Sequence, residues 1–171
     1  MPTAQLDTVC ILLEYTDWSN DRLLEAAAGL SDEQLDRDMQ IGVGTMRKTL
    51  LHIYNGELMW YRRWRGGEHA QAKWPSESEP VTVSELRERF AANRRERDAL
   101  LAELAAAHAD LGRIQQYRDS KGSPFGASLG DMLIQGAMHS KHHQAQAVNI
   151  VKRLGGTWPE LDYMNWVRKA V

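Results

Sequence analysis

Three histidines in this sequence have types and spacing that suit a metal ion. His139 and His143 stand four residues apart in a helical segment, where Cβ atoms on one face lie about 5–6 Å apart. His52 lies on the inward face of a second helical segment, with Gly56 one turn further on. On spacing alone, the pattern predicts either a metal site or a buried polar network, because neutral imidazoles in an apolar interior need partners.

Three imidazoles with an open fourth position are the ligand set of a reactive rather than a structural zinc site. Zinc is the first expectation, and nickel, cobalt and iron accept the same ligands. The other histidines have different surroundings. His142 lies near the edge of the apolar stripe, His69 follows Gly66-Gly67 in a loop, and His108 ends a charged helix. We therefore predict that His69 and His108 lie on the surface and that His142 is a neighbour of the site, not a ligand.

Other metal and nucleotide motifs are absent from the sequence. The H-E-x-x-H protease helix needs a glutamate after the first histidine, and here that residue is Ser140, so peptide hydrolysis is disfavoured. The sequence also lacks the paired Glu-x-x-His of di-iron bundles, an EF-hand loop, a P-loop and G-x-G-x-x-G. Cys10 is the only cysteine, which excludes an internal disulfide and a C-x-x-C redox pair, and we predict that it is a small core residue.

Four long helices are predicted to position these histidines in an all-α four-helix bundle, a single domain over residues 1–171. The predicted spans are about Thr3 to Ala28, Thr45 to Gly66-Gly67, Thr82 to Ala107 and Ser128 to Leu154. A short helical turn should follow the capping box that begins at Ser31, and the aromatic tail from Trp158 should pack back onto the body. The third connection, Gly112 to Gly126, has room for a short hairpin.

Two further features carry predictions about packing. The charged face of the third helix is predicted to be solvated, as charge runs on helices usually are. Its members are Arg87, Glu88, Arg94, Arg95, Glu96 and Arg97. Small residues beside the inward histidines, Gly56, Gly136 and Ala147, predict a cavity instead of a close-packed core.

Composition and charge exclude several classes of protein. The 171 residues carry 21 Lys plus Arg and 23 Asp plus Glu, a formal net charge of −2, so no basic surplus indicates a nucleic-acid partner. No apolar run approaches the roughly 18 residues of a membrane span. The N-terminal residues lack the features of a signal peptide, and the lone cysteine agrees with a cytoplasmic location, which is the expectation.

Several segments together resemble the DinB-like (DinB/YfiT) family of bacterial four-helix-bundle metalloproteins. The matching segments are Tyr15 to Leu24, Leu51-His52-Ile53 with Glu57 and Trp60, His139 to Gln146 followed by Leu154-Gly155, and Leu161-Asp162-Tyr163. The histidine block is the most specific of these, since the family shows H-x-x-x-H-x-x-Q just before a Leu-Gly helix end. Gln144-Ala145 departs from the Arg-Gly of many members, and this difference leaves the histidines intact.

The resemblance implies a fold, a ligand set and neighbours for the site. The implied metal ligands are His52, His139 and His143, in a bundle of up-down-down-up order that forms a homodimer. Gln146, one turn beyond His143, is expected either to orient a ligand or substrate or to pack, while Glu57 and Trp60 are expected behind the ligands and in the pocket wall. The residues expected at the pocket mouth are Trp18, Asp162, Tyr163 and Trp166, with packing in the core as the alternative for the aromatic ones.

The resemblance also implies a chemistry. Characterised relatives are mostly thiol-dependent, including transferases of the bacillithiol or mycothiol type, so the partners expected here are a small-molecule thiol and an electrophile in a detoxification or stress context. A metal-dependent hydrolase is the first alternative, and it needs a carboxylate near the metal that the sequence does not reveal. A non-enzymatic metal-binding stress-response protein is the second.

Overall fold

Helices account for most of the computed structural model, which describes residues 5–169. The elements are α1 (Leu6–Ala28), α2 (Asp32–Asp36), α3 (Met46–Arg65), α4 (Val83–Ala106), β1 (Ile114–Arg118), β2 (Pro124–Ser128), α5 (Leu129–Arg153) and α6 (Tyr163–Val167), with a single 3₁₀ turn at His69–Gln71. The predicted start of the first helix, near Thr3, lies outside the described residues. Within those residues, no helix combines the length and apolar character that a bilayer crossing requires.

Side chains at the helix starts satisfy backbone amides that have no partner within the helix. Ser31 and Thr82 each form a complete capping box, with Gln34 and Glu85 three residues on. Ser128 accepts a hydrogen bond from the amide of Asp131 at the start of α5. These three predicted helix starts are therefore confirmed, and the one at Ser128 fixes where the helix that carries His139 and His143 begins.

The two ends of the bundle are held by separate apolar clusters, and their membership gives the directions of the helices. One cluster joins the beginning of α1 and α5 to the end of α3 and α4 through Val9, Leu133, Trp64 and Leu104. The other joins the end of α1 and α5 to the beginning of α3 and α4, and includes Leu24, Val151, Leu50 and Leu86. Helices α1 and α5 therefore run one way and α3 and α4 the other. The order is up-down-down-up, as expected.

A two-stranded hairpin occupies the connection between α4 and α5. Strands β1 and β2 pair antiparallel from Ile114 opposite Ser128 to Arg118 opposite Pro124. The Gln115 amide donates to the carbonyl of Trp64 at 2.8 Å, near the end of α3. The predicted hairpin is confirmed, and it places Tyr117 over the last turns of α3, where its ring centroid lies 5.9 Å from that of Trp60.

The charged face of α4 is not wholly solvated, which corrects the sequence interpretation. The side chains of Arg97 and Asp17 are only 6% and 11% exposed. Nη1 and Nη2 of Arg97 donate to the two carboxylate oxygens of Asp17 at 2.8 and 2.6 Å, and Nε of Arg94 lies 3.2 Å from the same carboxylate. The charge run on α4 predicted a solvated face, but Asp17 lies in the apolar stripe of α1, so this acid and Arg97 are buried together.

We expect Asp17→Asn to lower the free energy of unfolding by about 3 kcal/mol, because it leaves the buried Arg97 charge without the carboxylate that binds it on two sides. Urea denaturation monitored by circular dichroism measures the loss. The control is Arg37→Gln, which removes an exposed pair with Glu33 on α2 and should cost less than about 0.5 kcal/mol. Equal losses in the two variants would contradict a structural role for the buried pair.

Candidate metal centre

Helices α3 and α5 pack against each other and bring the three predicted histidines together. One ring nitrogen from each of His52, His139 and His143 lies within 4.8 Å of the other two. The ring of His143 is central, with its centroid 4.3 Å from that of His52 and 4.7 Å from that of His139. The three rings therefore converge on one point between the two helices.

Hydrogen bonds at the outer nitrogens assign the tautomers of two of these rings. Nδ1 of His52 donates to Oε1 of Glu77 at 2.5 Å, and Nδ1 of His143 donates to Oε1 of Gln146 at 2.8 Å. A neutral imidazole carries one proton, so in both rings Nε2 presents a lone pair. These two Nε2 atoms lie 3.1 Å apart. Two lone pairs at that separation repel each other unless a cation lies between them.

His139 completes the set as a neutral, unpartnered base. Its Nδ1 is buried and has no hydrogen-bond partner among the described residues. The pKa of His139 is lowered to about 3, chiefly by burial and in addition by the neighbouring His143 and His52. Burial also lowers the pKa of His143. At neutral pH both rings are uncharged and retain the lone pairs that a metal requires.

These residues fit a divalent transition metal. Ligand nitrogens at about 2.0–2.1 Å from one tetrahedral zinc ion lie about 3.4 Å apart, close to the 3.1 Å between His52 and His143. Gly56 lies against the ring of His139, and a Cβ there would be 2.5 Å from Nδ1. The absent side chain therefore makes room for His139 itself, while the facing lone pairs of His52 and His143 are what an ion would satisfy.

The loop between α3 and α4, from which the sequence predicted no site residue, supplies an acid beside the histidines. Oε1 of Glu77 accepts from both His52 and the indole Nε1 of Trp74, the latter at 2.7 Å. A carboxylate on the outer nitrogen of a metal-binding histidine fixes the ring and increases its basicity. The one available signal was a tryptophan in an otherwise polar loop, because a large apolar side chain there needs a surface to cover.

A cavity of about 650 Å³ opens beside His52 and His139. Its remaining lining residues are Trp60, Arg63, Trp74, Glu77, Tyr117, Asp119 and Ser120. Trp60 thus stands in the wall of the cavity next to the histidines. Arg63, Tyr117 and Asp119 were missed because the hairpin and the end of α3 meet only in the folded chain.

The amide of Gln146 connects two histidines of α5. Its oxygen accepts from His143, and its Nε2 donates to Nε2 of His142 at 3.1 Å. Gly42, at φ +56°, packs on this amide so closely that a Cβ there would be 2.8 Å from its Cδ. Gln146 therefore orients a ring of the triad, while His142, His69 and His108 are exposed and lie outside the triad.

Glu57 is bonded to residues other than the three histidines and does not line the cavity. Its Oε1 accepts from Nδ2 of Asn20 at 2.7 Å and from the hydroxyl of Ser140 at 2.9 Å, so it joins α3 to α1 and α5. The pKa of Glu57 is raised to about 7, chiefly by burial and in addition by the nearby Asp17 carboxylate. Its role is to bond these helices behind the site.

The residues predicted at the pocket mouth cluster elsewhere. Tyr163 packs edge-on against Tyr15 at 5.2 Å and contacts Trp166, while Trp18 stacks on the other side of Tyr15. None of Trp18, Asp162, Tyr163 and Trp166 lines the cavity beside the histidines. These aromatic residues dock the C-terminal tail on α1, which confirms that the tail is packed.

Two of the three small residues expected beside a cavity are close-packed instead. A Cβ on Gly136 would lie 2.5 Å from Cζ2 of Trp64, so this glycine admits a buried indole. Ala147 is fully buried in an apolar cluster with Ile53 and Ile150. A small residue at a helix contact lets a neighbouring side chain or helix pack closely against it, so it does not by itself indicate a cavity.

Comparisons with known proteins agree with the fold. The sequence model of the DinB family matches residues 1–170. YfiT from Bacillus subtilis, described as a probable metal-dependent hydrolase with an unusual four-helix bundle topology, has 16% identity and a TM-score of 0.60, with 93% of each chain covered. A DinB-like protein from Bacillus cereus ATCC 10987 has 18% identity and a TM-score of 0.56, covering 87% of this chain and 94% of that one. At these identities the likeness shows the fold alone, and no curated protein matches the chain.

We expect Gly56→Ala to weaken zinc binding at least about tenfold while the protein stays folded, because alanine favours the helix and the displaced His139 ring can swing away. Competition with a chromogenic chelator gives the affinity, and circular dichroism checks the helices.

Gly136→Ala is the matched control, since its new Cβ meets the buried Trp64 and not a histidine. It should lower the melting temperature and leave the zinc affinity of the folded protein unchanged. Unchanged zinc affinity in Gly56→Ala would show that the position of the His139 ring does not matter for the metal.

Proposed function

The chain belongs to the DinB family, and from that membership and the three-histidine site we propose that it is a metal-dependent S-transferase. His52, His139 and His143 hold a divalent metal, zinc in the first instance and nickel or another transition metal as alternatives. A small thiol of the bacillithiol or mycothiol type attacks an electrophile in the adjacent cavity. The observation that carries the proposal is a cluster of three imidazoles, two of which, His52 and His139, line this cavity.

A bound metal would supply one chemistry, the loss of the proton from a thiol whose free pKa is near 8.5. The sulfur then forms a bond to an electrophilic carbon, the bond from that carbon to its leaving group breaks, and the leaving group takes the bonding pair. The proton of the thiol passes to solvent. The residues of the chain hold the site, exclude water through Trp60 and Trp74, and orient the imidazoles through Glu77 and Gln146.

The thiol has to come from outside the chain. Cys10 is the single cysteine, and it packs against the apolar cluster at the start of α1. Burial and the neighbouring Asp7 and Glu14 raise the pKa of its thiol, which makes it a poor nucleophile. Cys10 is also absent from the lining of the cavity.

Carboxylates near the cavity favour a thiol over water as the nucleophile. Water that attacks a substrate needs a base to accept its proton, whereas a thiol that is already ionised has no proton to lose. Glu77 is engaged by His52 and Trp74, and Oδ1 of Asp119 accepts from the backbone amides of Lys121 and Ser123. Each acid that lines the cavity therefore already has partners among the described residues.

A metal-dependent hydrolase is the second candidate, and it would use Glu77 as the base, although Oε1 of that carboxylate already accepts from His52 and Trp74. The Glu77 carboxylate lies in the cavity wall beside His52, where a base for water would stand. The description of YfiT as a probable metal-dependent hydrolase points the same way. A non-enzymatic metal-binding protein is the remaining alternative. We also propose a cytoplasmic homodimer without nucleic-acid or membrane partners.

We expect zinc-loaded protein to speed the reaction of 1-chloro-2,4-dinitrobenzene with at least one small thiol about tenfold or more over the uncatalysed rate, followed by absorbance. His139→Ala should lose this rate, because it removes a metal ligand. His142→Ala should keep it, because that ring lies outside the triad.

The same protein with p-nitrophenyl acetate and no thiol separates the alternatives. Turnover there that is lost in Glu77→Gln would support the hydrolase over the transferase. If metal-loaded protein accelerates neither reaction, the result would favour a non-enzymatic metal-binding protein.

A further inference from the structure

Arg63 is a buried cation in the wall of the cavity beside the histidines. It lies in the last turns of α3 and is 4% exposed. Its guanidinium carbon lies over the ring of Trp60 at 4.5 Å and over the ring of Tyr117, on the hairpin, at 4.8 Å. Cation–π contacts on two sides hold the group in place without neutralising its charge.

The hydrogen bonds of Arg63 are incomplete. A guanidinium has five N–H donors. Nη2 donates to the carbonyl of Arg118 at 2.8 Å, while Nε is buried and has no partner among the described residues. In the described part of the chain, no carboxylate lies within 4.0 Å of this guanidinium. The other buried arginine, Arg97, contacts the carboxylates of Asp17 and Asp98. A buried cation in this state calls for an anion.

The acids that face the same cavity are engaged elsewhere. Asp119 is held by the turn of the hairpin, where Oδ1 accepts from the amides of Lys121 and Ser123 at 2.9 and 2.8 Å. Glu77 is held by His52 and Trp74. Ser120 and the three aromatic side chains of the wall are neutral. Arg63 is thus the cation of a cavity whose two acids already have partners.

We propose that Arg63 is a subsite for an anion, and specifically for a carboxylate on the small molecule whose sulfur binds at the three histidines. Arginine pairs its N–H groups with the two oxygens of a carboxylate. The inference rests on the proposed function, because it names the thiol as the anionic substrate. Its consequence is selection: an acidic thiol is anchored at Arg63 and at the metal together, whereas a neutral thiol is anchored at the metal alone.

The test compares two thiols that differ only in charge, 3-mercaptopropionate and 3-mercaptopropionamide. Each is titrated into cobalt-loaded protein, where sulfur binding is read from the charge-transfer absorbance. We expect the acid to bind about tenfold more tightly than the amide. In Arg63→Gln, which keeps a donor for the carbonyl of Arg118, the two dissociation constants should become equal while that of the amide stays unchanged.

Asp119→Asn is the complementary variant, since the amide oxygen can still accept from the turn while the negative charge is removed. It should tighten binding of the acid several-fold and leave the amide unaffected. Equal dissociation constants for the two thiols in the wild type would overturn the proposal, as would an acid preference that survives in Arg63→Gln. Should Arg63→Gln fail to fold, the wild-type comparison and Asp119→Asn decide, and an unchanged acid affinity in Asp119→Asn counts against the subsite.

Propionate and propionamide separate failure of this subsite from failure of the proposed function, because they lack the sulfur. Their binding is followed by the fluorescence of the cavity tryptophans. A preference for propionate with no binding of either thiol through sulfur would keep the anion subsite and contradict the transferase. Sulfur binding of both thiols, with neither 3-mercaptopropionate nor propionate preferred over its amide, would contradict the anion subsite and keep the transferase.

Discussion

Two imidazole nitrogens with facing lone pairs, Nε2 of His52 and Nε2 of His143, lie 3.1 Å apart in the middle of the bundle. The proton of each ring is on Nδ1, where it is donated to Glu77 or Gln146, so neither Nε2 carries a proton to donate to the other. A metal ion relieves this repulsion, and a ring nitrogen of His139 lies within 4.8 Å of the other two, close enough to join the same site. The rest of the site is arranged around that requirement.

The up-down-down-up order explains how these atoms come together. It sets α3 beside α5, although they are not consecutive among the four long helices, and the connections between helices then become available as walls. The loop before α4 brings Trp74 and Glu77 to His52, and the hairpin before α5 brings Tyr117 to Trp60 and Arg63. Behind the site, the Asp17–Arg97 pair and the bonds of Glu57 tie the same four helices together.

The sequence was sufficient for the parts of the site that lie within one helix. Spacing of four residues placed His139 and His143 on one face, and capping boxes at Ser31 and Thr82 marked where helices begin. It was insufficient where a residue acts across elements. Glu77 lies 25 positions from His52, and Arg97 lies 80 positions from Asp17, so neither partnership leaves a local pattern. Arg97 was misplaced because a charged face looks the same whether water or a buried acid covers it.

The most direct measurement is the number of zinc ions bound per chain, obtained by dialysis and elemental analysis of three proteins in parallel. We expect one zinc ion in the wild type, one in His142→Ala and none in His139→Ala, because only His139→Ala removes a histidine of the triad. Equal zinc content in His139→Ala and the wild type, or loss of zinc in His142→Ala alone, would contradict a metal site built from His52, His139 and His143.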